Sequence, residues 1–185
     1  WDNRLQERAD RVDWFSTLFE IIDMRSFSNL WYWIALAVLW STTSHWVIGV
    51  PYDLVQRAAR FEGQAQVDLE VLTRIYCSRL LYIAATSGLW LLGFACAALT
   101  SLFLLGFVYG VEFSQALLLI AFPMTLVGVM SLNTARIIQD RMLEGADLRA
   151  RLNRHRIQTQ VLGMISIFIT SMWGMYQNLS LHAWS

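Results

Sequence analysis

The sequence predicts an all-α protein: a helical membrane bundle of about four spanning helices, preceded by an amphipathic helix. Hydrophobic residues make up 56% of the chain and charged residues 15%, whereas soluble domains carry roughly 25% charged residues. Four stretches, at 26–52, 80–111, 113–135 and 157–185, contain no Arg, Lys, Asp or Glu. Each is longer than the ~20 residues that cross ~30 Å of hydrocarbon.

Residues 1–25 are predicted to form an amphipathic helix at the membrane surface, and residues 26–185 a single membrane domain. Apolar residues recur at helical spacing with acidic residues between them, at Phe15, Leu18, Phe19 and Ile22. Such a face is typical of a helix that lies in the interface plane. Docking of this face on a partner chain is the alternative.

The first span is predicted at residues 30–50. Aromatic residues at 31–33 and at Trp46 mark its two interfaces. Five polar residues in succession, 41–45, occupy its second half, and Pro51 ends it. A segment that re-enters on the same side is therefore the alternative, and it would place the N-terminus in the cytoplasm.

Residues 53–79 predict a polar helical segment that continues into the second span, 80–108. Its apolar residues follow a near-heptad stripe with Gly63 in the middle: Leu54, Ala58, Phe61, Ala65, Leu72 and Ile75. The uncharged stretch 80–111 would rise ~48 Å as one helix, which exceeds the hydrocarbon thickness. Breaks are therefore expected at Gly106 and Gly110, before a tight hairpin at 109–112.

The third span, 113–135, has Pro123 at its centre. A proline there should kink the helix and free a backbone carbonyl one turn earlier. A second polar helix is predicted at 136–158, and the fourth span at 159–177.

The topology follows from the arginines. Ten of the fourteen lie in the two polar segments between spans, and the positive-inside rule places both segments in the cytoplasm. The hairpin at Glu112 then faces the opposite side.

One helical face of the fourth span is small and polar, at Gly163, Ser166, Thr170, Gly174 and Gln177. Small residues let two helix backbones approach closely, so the face predicts helix packing; a wetted pore wall is the alternative. A weaker stripe lies on the second span at Thr86, Gly93, Ala97 and Thr100, interrupted by Trp90.

Four arginines immediately precede the fourth span, at Arg149, Arg151, Arg154 and Arg156. They are expected to set the topology and to contact anionic lipids. Docking of an acidic cytoplasmic partner is the alternative.

The chain carries no pattern that predicts catalysis. It has no phosphate-binding loop, no nucleophile elbow and no HExxH. Its two cysteines, Cys77 and Cys96, fit no ligand spacing, so no cofactor or metal is expected. A net charge of zero argues against nucleic acid as a partner, and the absence of charge within the spans disfavours coupled transport.

Residues 23–33 (DMRSFSNLWYW) and 172–179 (MWGMYQNL) resemble a group of small alphaproteobacterial multi-span membrane proteins. Some members carry the label "component of SufBCD complex", and the resemblance covers most of the chain. It implies a multi-pass protein of the bacterial inner membrane. The iron–sulfur label is not carried across, because the sequence offers neither clustered cysteines nor a nucleotide site.

The expected function is therefore that of a non-enzymatic inner-membrane protein that acts by assembly, as a homo-oligomer or as an accessory subunit of a larger membrane complex. Its expected partners are membrane lipids and either itself or other membrane subunits. The alternative is a homo-oligomeric ion or small-solute channel, with the fourth-span stripe or the Pro123 span lining the pore.

Overall fold

The protein is a helical bundle, as a computed structural model that describes residues 30–61 and 63–182 shows. In this part of the chain there are five helices and one short hairpin. In order they are α1 (Leu30–His45), β1 (Trp46–Val47), β2 (Val50–Pro51), α2 (Tyr52–Phe61), α3 (Gln64–Phe103), α4 (Glu112–Asp140) and α5 (Gly145–His182). The all-α class is confirmed. The surface helix predicted at 1–25 lies outside the described residues.

Helix α1 is shorter than the segment predicted at 30–50. It ends at His45, and the polar run 41–45 forms its last turns. Hydroxyl groups there bond back to their own helix: Thr43 Oγ1 donates to the Leu39 carbonyl at 2.8 Å, and Ser44 Oγ to the Ser41 carbonyl at 3.1 Å. Such bonds give each hydroxyl a partner on its own helix, although they compete with the backbone N–H groups for the same carbonyls.

An antiparallel hairpin replaces the end of the predicted span. Trp46 pairs with Pro51 and Val47 with Val50, and the two turn residues, Ile48 and Gly49, have φ values of 55° and 82°. Two positive φ angles are the signature of a type I′ turn, which matches the twist of two-residue hairpins. Burial of Ile48 in the core holds this β-branched residue in an unfavourable conformation.

The polar segment predicted at 53–79 is two helices rather than one. Helix α2 ends at Phe61 and α3 begins at Gln64, with Gly63 between them at a φ of 56°. Helix α2 buries Val55 and Ala58 against the same core as the hairpin.

Helix α3 continues for 40 residues, a rise of ~60 Å. It closes in a π-helical turn, Leu104–Val108, and Gly110 follows with a φ of 73°. The turn brings Gly106 so close to α4 that a Cβ at this position would lie 3.0 Å from the Gln115 backbone nitrogen. The chain thus reverses into α4 at the predicted glycines.

The segment predicted as a polar helix at 136–158 also contains a turn. Helix α4 ends at Asp140 and α5 begins at Gly145. Ala135 and Ile138 on one side of the turn pack in one core with Leu148 and Leu152 on the other.

Among the described residues, two helices are long and apolar enough to cross a membrane: α3 with its π-turn, Gln64–Val108, and α4, Glu112–Asp140. Only 6% and 22% of their most apolar windows are buried inside the described part of the chain, so neither is a core helix wrapped by the other described elements.

Charged residues gather at one end of the bundle. Apart from Glu112, the described Arg, Asp and Glu residues lie at 53–79 and 136–156, and contacts join these segments. Arg74 Nη2 donates to Glu144 Oε1 at 3.1 Å, and the Gly145 backbone N–H donates to Glu70 Oε1 at 2.9 Å. This end, which includes the hairpin and α2, is called the polar end below.

The hairpin turn yields a stability test. A Cβ on Gly49 would lie 2.7 Å from Tyr76 Cδ1, in addition to its positive φ. We expect Gly49→Ala to lower the free energy of unfolding by about 1–3 kcal/mol, measured by thermal or denaturant unfolding in detergent. The matched control is Gly128→Ala, a helical site with nothing within 4 Å, which should be neutral or stabilise by up to about 1 kcal/mol. Equal effects of the two changes would contradict the packing of the hairpin on α3.

Candidate functional site

The most unusual feature of the bundle is a line of buried polar and glycine residues along α5, called the polar seam. It consists of His155, Thr159, Gly163, Ser166, Thr170, Gly174 and Gln177, in steps of four, four, three, four, four and three. This spacing keeps them on one helical face. Thr170 is 0% exposed, Thr159 2%, His155 3% and Ser166 6%; both glycines are buried and Gln177 is half-buried. The predicted stripe therefore faces protein, and it extends two positions further than predicted.

Helix α1 covers the middle of the seam. The Trp40 ring lies over Gly163, where a Cβ would come within 2.7 Å of Trp40 Cε3. Trp40 is itself buried, in a cluster with Leu36 and Val127. Glycine at 163 is what allows α1 to approach α5 so closely.

Tyr32 joins three helices about two turns further along. Its hydroxyl donates to the Ala116 carbonyl on α4 at 3.2 Å and is hydrogen-bonded to the Thr170 side chain on α5. Thr170 Oγ1 donates to the Ser166 carbonyl at 2.8 Å. The fully buried Thr170 therefore has partners on its own helix and across the interface.

Pro123 and Ser166 form a single structural unit. Proline lacks an N–H, so Pro123 cannot donate to the carbonyl of Leu119, four residues earlier. Ser166 Oγ donates to that Leu119 carbonyl from α5, at 3.4 Å. Hydroxyls from neighbouring helices commonly satisfy the backbone that a membrane-helix proline leaves free. The carbonyl that the sequence predicts to be freed thus has its partner in the seam.

An apolar groove of about 320 Å³ opens between α4 and α5 beside Pro123. Leu118, Phe122, Leu126, Leu162 and Ile165 are among its lining residues. Pro123 and Ser166 also line the groove, which therefore borders the seam at their contact.

Gln115 closes the seam at the end away from the charges. It is 5% exposed, and its Nε2 donates to the Gly106 carbonyl in the π-turn at 2.7 Å. Its Oε1 accepts from Trp173 Nε1 at 3.0 Å and from Gln177 Nε2 at 2.5 Å. One side chain thereby ties α3, α4 and α5 together. Sequence reasoning missed it, although an isolated Gln in an apolar span is a signal for such a role.

His155 lies at the opposite end of the seam, where it meets the polar end. Its Nε2 is 3.3 Å from Ser131 Oγ, and its Nδ1 is 3.3 Å from Thr134 Oγ1. Ser131 donates its own proton to the Val127 carbonyl at 2.8 Å, so it can only accept from His155. Neutral imidazole with its proton on Nε2 therefore satisfies both hydroxyls. Burial lowers the pKa of His155, and the Arg151 charge lowers it further.

The arginines predicted to contact lipid mostly engage the chain itself. The Arg156 guanidinium lies 3.7 Å above the Tyr52 ring, Arg149 Nη1 donates to Gln66 Oε1, and Arg151 lies near enough to His155 to affect its pKa. Arg154 is exposed. Arg149 and Arg156 thus link the start of α5 to α3 and α2 in the polar end.

The remaining sequence candidates are spread out. Both cysteines are free, with Cys77 buried and Cys96 exposed. His45 is exposed at the end of α1. Within 30–61 and 63–182, no three His, Cys, Asp or Glu side chains come together to hold a metal ion. The weaker stripe on α3, at Thr86, Gly93, Ala97 and Thr100, faces outward.

Comparison with protein families, curated proteins and solved structures found no match to this chain.

The Pro123–Ser166 unit can be tested with a double-mutant cycle. Ser166→Ala should lower the free energy of unfolding by about 0.6 kcal/mol, the average for side-chain bonds between membrane helices. In a Pro123→Ala background, residue 123 regains an N–H that can donate to the Leu119 carbonyl. The same Ser166→Ala change should then lower the free energy of unfolding by less. Unfolding in mixed micelles measures both. An equal loss of stability in the two backgrounds would show that Ser166 does not replace the missing hydrogen bond to the Leu119 carbonyl.

His155 makes stability depend on pH. In the unfolded chain a histidine titrates near 6.5, whereas the buried imidazole takes up its proton only at lower pH. Below pH 6.5 the unfolded chain therefore binds more protons, and the free energy of unfolding should fall as the pH drops from 6.5 towards the lowered native pKa. Thermal unfolding across this range should show the slope in the wild type and in His45→Gln, which keeps His155. The prediction fails if His155→Gln retains the full slope.

Proposed function

We propose that the protein is a non-enzymatic, multi-pass protein of the bacterial inner membrane that acts by assembly, as a homo-oligomer or as an accessory subunit of a larger membrane complex. The observation that carries this proposal is the inverted polarity of the bundle: its interior holds the polar seam, and its outer surface is apolar. The resemblance to small alphaproteobacterial membrane proteins supports the same location.

The inverted polarity favours lipid as the solvent. On α3, Leu89 and Trp90 are each 84% exposed and Phe94 is 74% exposed, whereas Thr159, Thr170 and Gln115 are buried. Exposed apolar surface costs about 25 cal/mol per Å² in water but nothing in hydrocarbon. Buried hydroxyl and amide groups, in turn, hold helices together in a bilayer.

The distribution of charge supports a four-span topology. Helices α1, α3, α4 and α5 run alternately from one end of the bundle to the other, and the polar end carries ten of the fourteen arginines. Between Glu112 and Arg136, α4 has 23 uncharged residues, a rise of ~35 Å that suits a ~30 Å hydrocarbon core. The positive-inside rule then favours a cytoplasmic polar end.

Assembly is favoured over conduction because the chain fills its own seam. Trp40 covers Gly163, Ser166 donates a hydrogen bond to the Leu119 carbonyl, and Tyr32 is hydrogen-bonded to Thr170. A pore along this face would have to displace these contacts. What the bundle leaves open is its outer surface, where other membrane subunits and lipids can bind.

Topology and assembly can be tested in the same cells. In a background with both native cysteines replaced by Ala, Tyr109→Cys should react with a membrane-impermeant maleimide in intact cells. Asp147→Cys, also exposed, should react only after lysis. Native mass spectrometry of the extracted protein should then show a complex heavier than one 21.3 kDa chain.

Three outcomes would count against the proposal. Labelling of Asp147→Cys from outside would reverse the topology. A single chain without protein partners, in nanodiscs as well as in detergent, would remove assembly. Ion or solute flux through reconstituted protein that is lost in a seam variant such as Thr170→Asp would favour the channel instead.

A further inference from the structure

The outward face of α3 carries a continuous line of exposed residues, called the α3 stripe. Its steps are four, four and three residues, repeated three times, and every member is exposed. The members are Val67, Val71, Ile75, Ser78, Tyr82, Thr86, Leu89, Gly93, Ala97 and Thr100. The opposite face of α3 packs into the bundle, where Leu69, Thr73 and Cys77 are buried.

In the polar end, the stripe is apolar where lipid cannot explain it. Val67 is 50% exposed, Val71 54% and Ile75 56%, and charged side chains such as Asp68, Arg74 and Arg79 lie beside them on the same helix. This part of α3 precedes the uncharged stretch that begins at residue 80. Three exposed apolar residues at four-residue spacing, flanked by charged side chains, are the pattern of a seam against another helix.

In the apolar half, beyond Leu89, the stripe becomes small where lipid would favour large side chains. A Cβ on Gly93 would meet nothing within 4 Å, so no contact within the described part of the chain requires glycine there. Glycine inside a helix costs up to about 1 kcal/mol relative to alanine. Gly93 and Ala97, four residues apart, form the small-xxx-small pair that lets two membrane helices approach closely.

We infer that the α3 stripe binds the same stripe of a second copy of this chain, in a parallel dimer with its two-fold axis along the bundle. The inference rests on the proposed function and names its partner. The occupant must be a helix that crosses the apolar region and continues beyond it with an apolar stripe at matching depth. A second α3 in the same orientation meets both conditions, because it has the same length and carries the same stripe at the same depth. The two copies are parallel because both polar ends then lie on the same side.

The size and period of the stripe agree with such a pair. From Val67 to Thr100 it extends ~50 Å, and a helix face is ~10 Å wide. Each copy would bury roughly 500 Å², or about 1,000 Å² in total, which is near the lower limit for a specific interface. Eleven residues per three turns is a repeat that gives a right-handed supercoil, the hand common at small-xxx-small crossings.

Cysteine cross-linking of the full chain in native membranes tests the pairing. In the background lacking Cys77 and Cys96, Val71→Cys and, separately, Ile75→Cys should form a product of twice the chain mass with a short bis-maleimide. Arg154→Cys is the matched control, since it is also exposed in the polar end but lies on α5; it should give little product. Dilution with excess lipid should lower any Arg154 product from the first step, because that product depends on collisions, whereas the Val71 product should persist until the dilution passes the dissociation constant of the pair.

A second pair of variants tests the apolar half. Gly93→Leu should weaken dimerisation by on the order of tenfold or more, measured as the dimer fraction against lipid dilution. Gly128→Leu, on α4 and equally free of neighbours, should not. Equal effects of the two variants would overturn the assignment of Gly93 to the interface.

The outcomes separate this inference from the proposed function. A cross-link from Val71 to a different protein, or to residues 1–29 of the same chain, would overturn self-pairing. If neither stripe cysteine cross-links while the extracted protein still carries another subunit, the dimer is wrong and the assembly proposal stands. If the extracted protein is a single chain under all conditions, both fail.

Discussion

Polar groups that lie among apolar helices have no water to bond to, so each must find its partner within the protein. The arrangement of α1, α4 and α5 follows from this constraint. Pro123 leaves the Leu119 carbonyl without its helical donor, and Ser166 has to face that carbonyl, which fixes the rotation of α5 against α4. The same rotation places Gly163 beneath Trp40 and brings Gln177 to Gln115. His155 then meets two hydroxyls of α4 at the opposite end. The alignment of α4 with α5 thus provides partners for Ser166, Gln177 and His155, while Thr159 and Thr170 donate to carbonyls of α5 itself.

Helical periodicity made one part of this arrangement predictable. The small polar face of α5 is visible in the sequence because its members recur every three or four residues between large apolar ones. Pro123 alone predicts a carbonyl without a helical donor, since proline has no N–H. The partner of that carbonyl was not predictable, since the pairing of two helices depends on their relative rotation and depth. The hairpin at 46–51 was missed because its residues are as apolar as the helix before them. That turn is stabilised by the pairing of β1 with β2, by burial of Val47, Ile48 and Val50, and by the close approach of Gly49 to Tyr76.

The α3 stripe shows a different limit of sequence reasoning. Helix α3 is apolar on both faces through its second half, so its periodicity does not say which face is inside. The near-heptad predicted at 53–79 mixed residues of two helices, and it gave no weight to Val67 and Val71. Once the structure shows that Leu69, Thr73 and Cys77 are buried, the outward position of the other face follows from geometry. Gly93 and Gly163 then look alike in sequence but differ in surroundings, because Trp40 covers only Gly163.

The unbroken length of α3 has a mechanical consequence. From Gln64 to Phe103 the helix has no proline and no turn, so it behaves as a stiff rod about 60 Å long. A rotation imposed on its polar half, for example by a molecule that binds Val67 and Val71, would be transmitted along the helix to its other end. There the rod meets the π-turn, where Gln115 holds the Gly106 carbonyl. Gln115 is therefore one of the contacts through which rotation of α3 would displace α4 and α5.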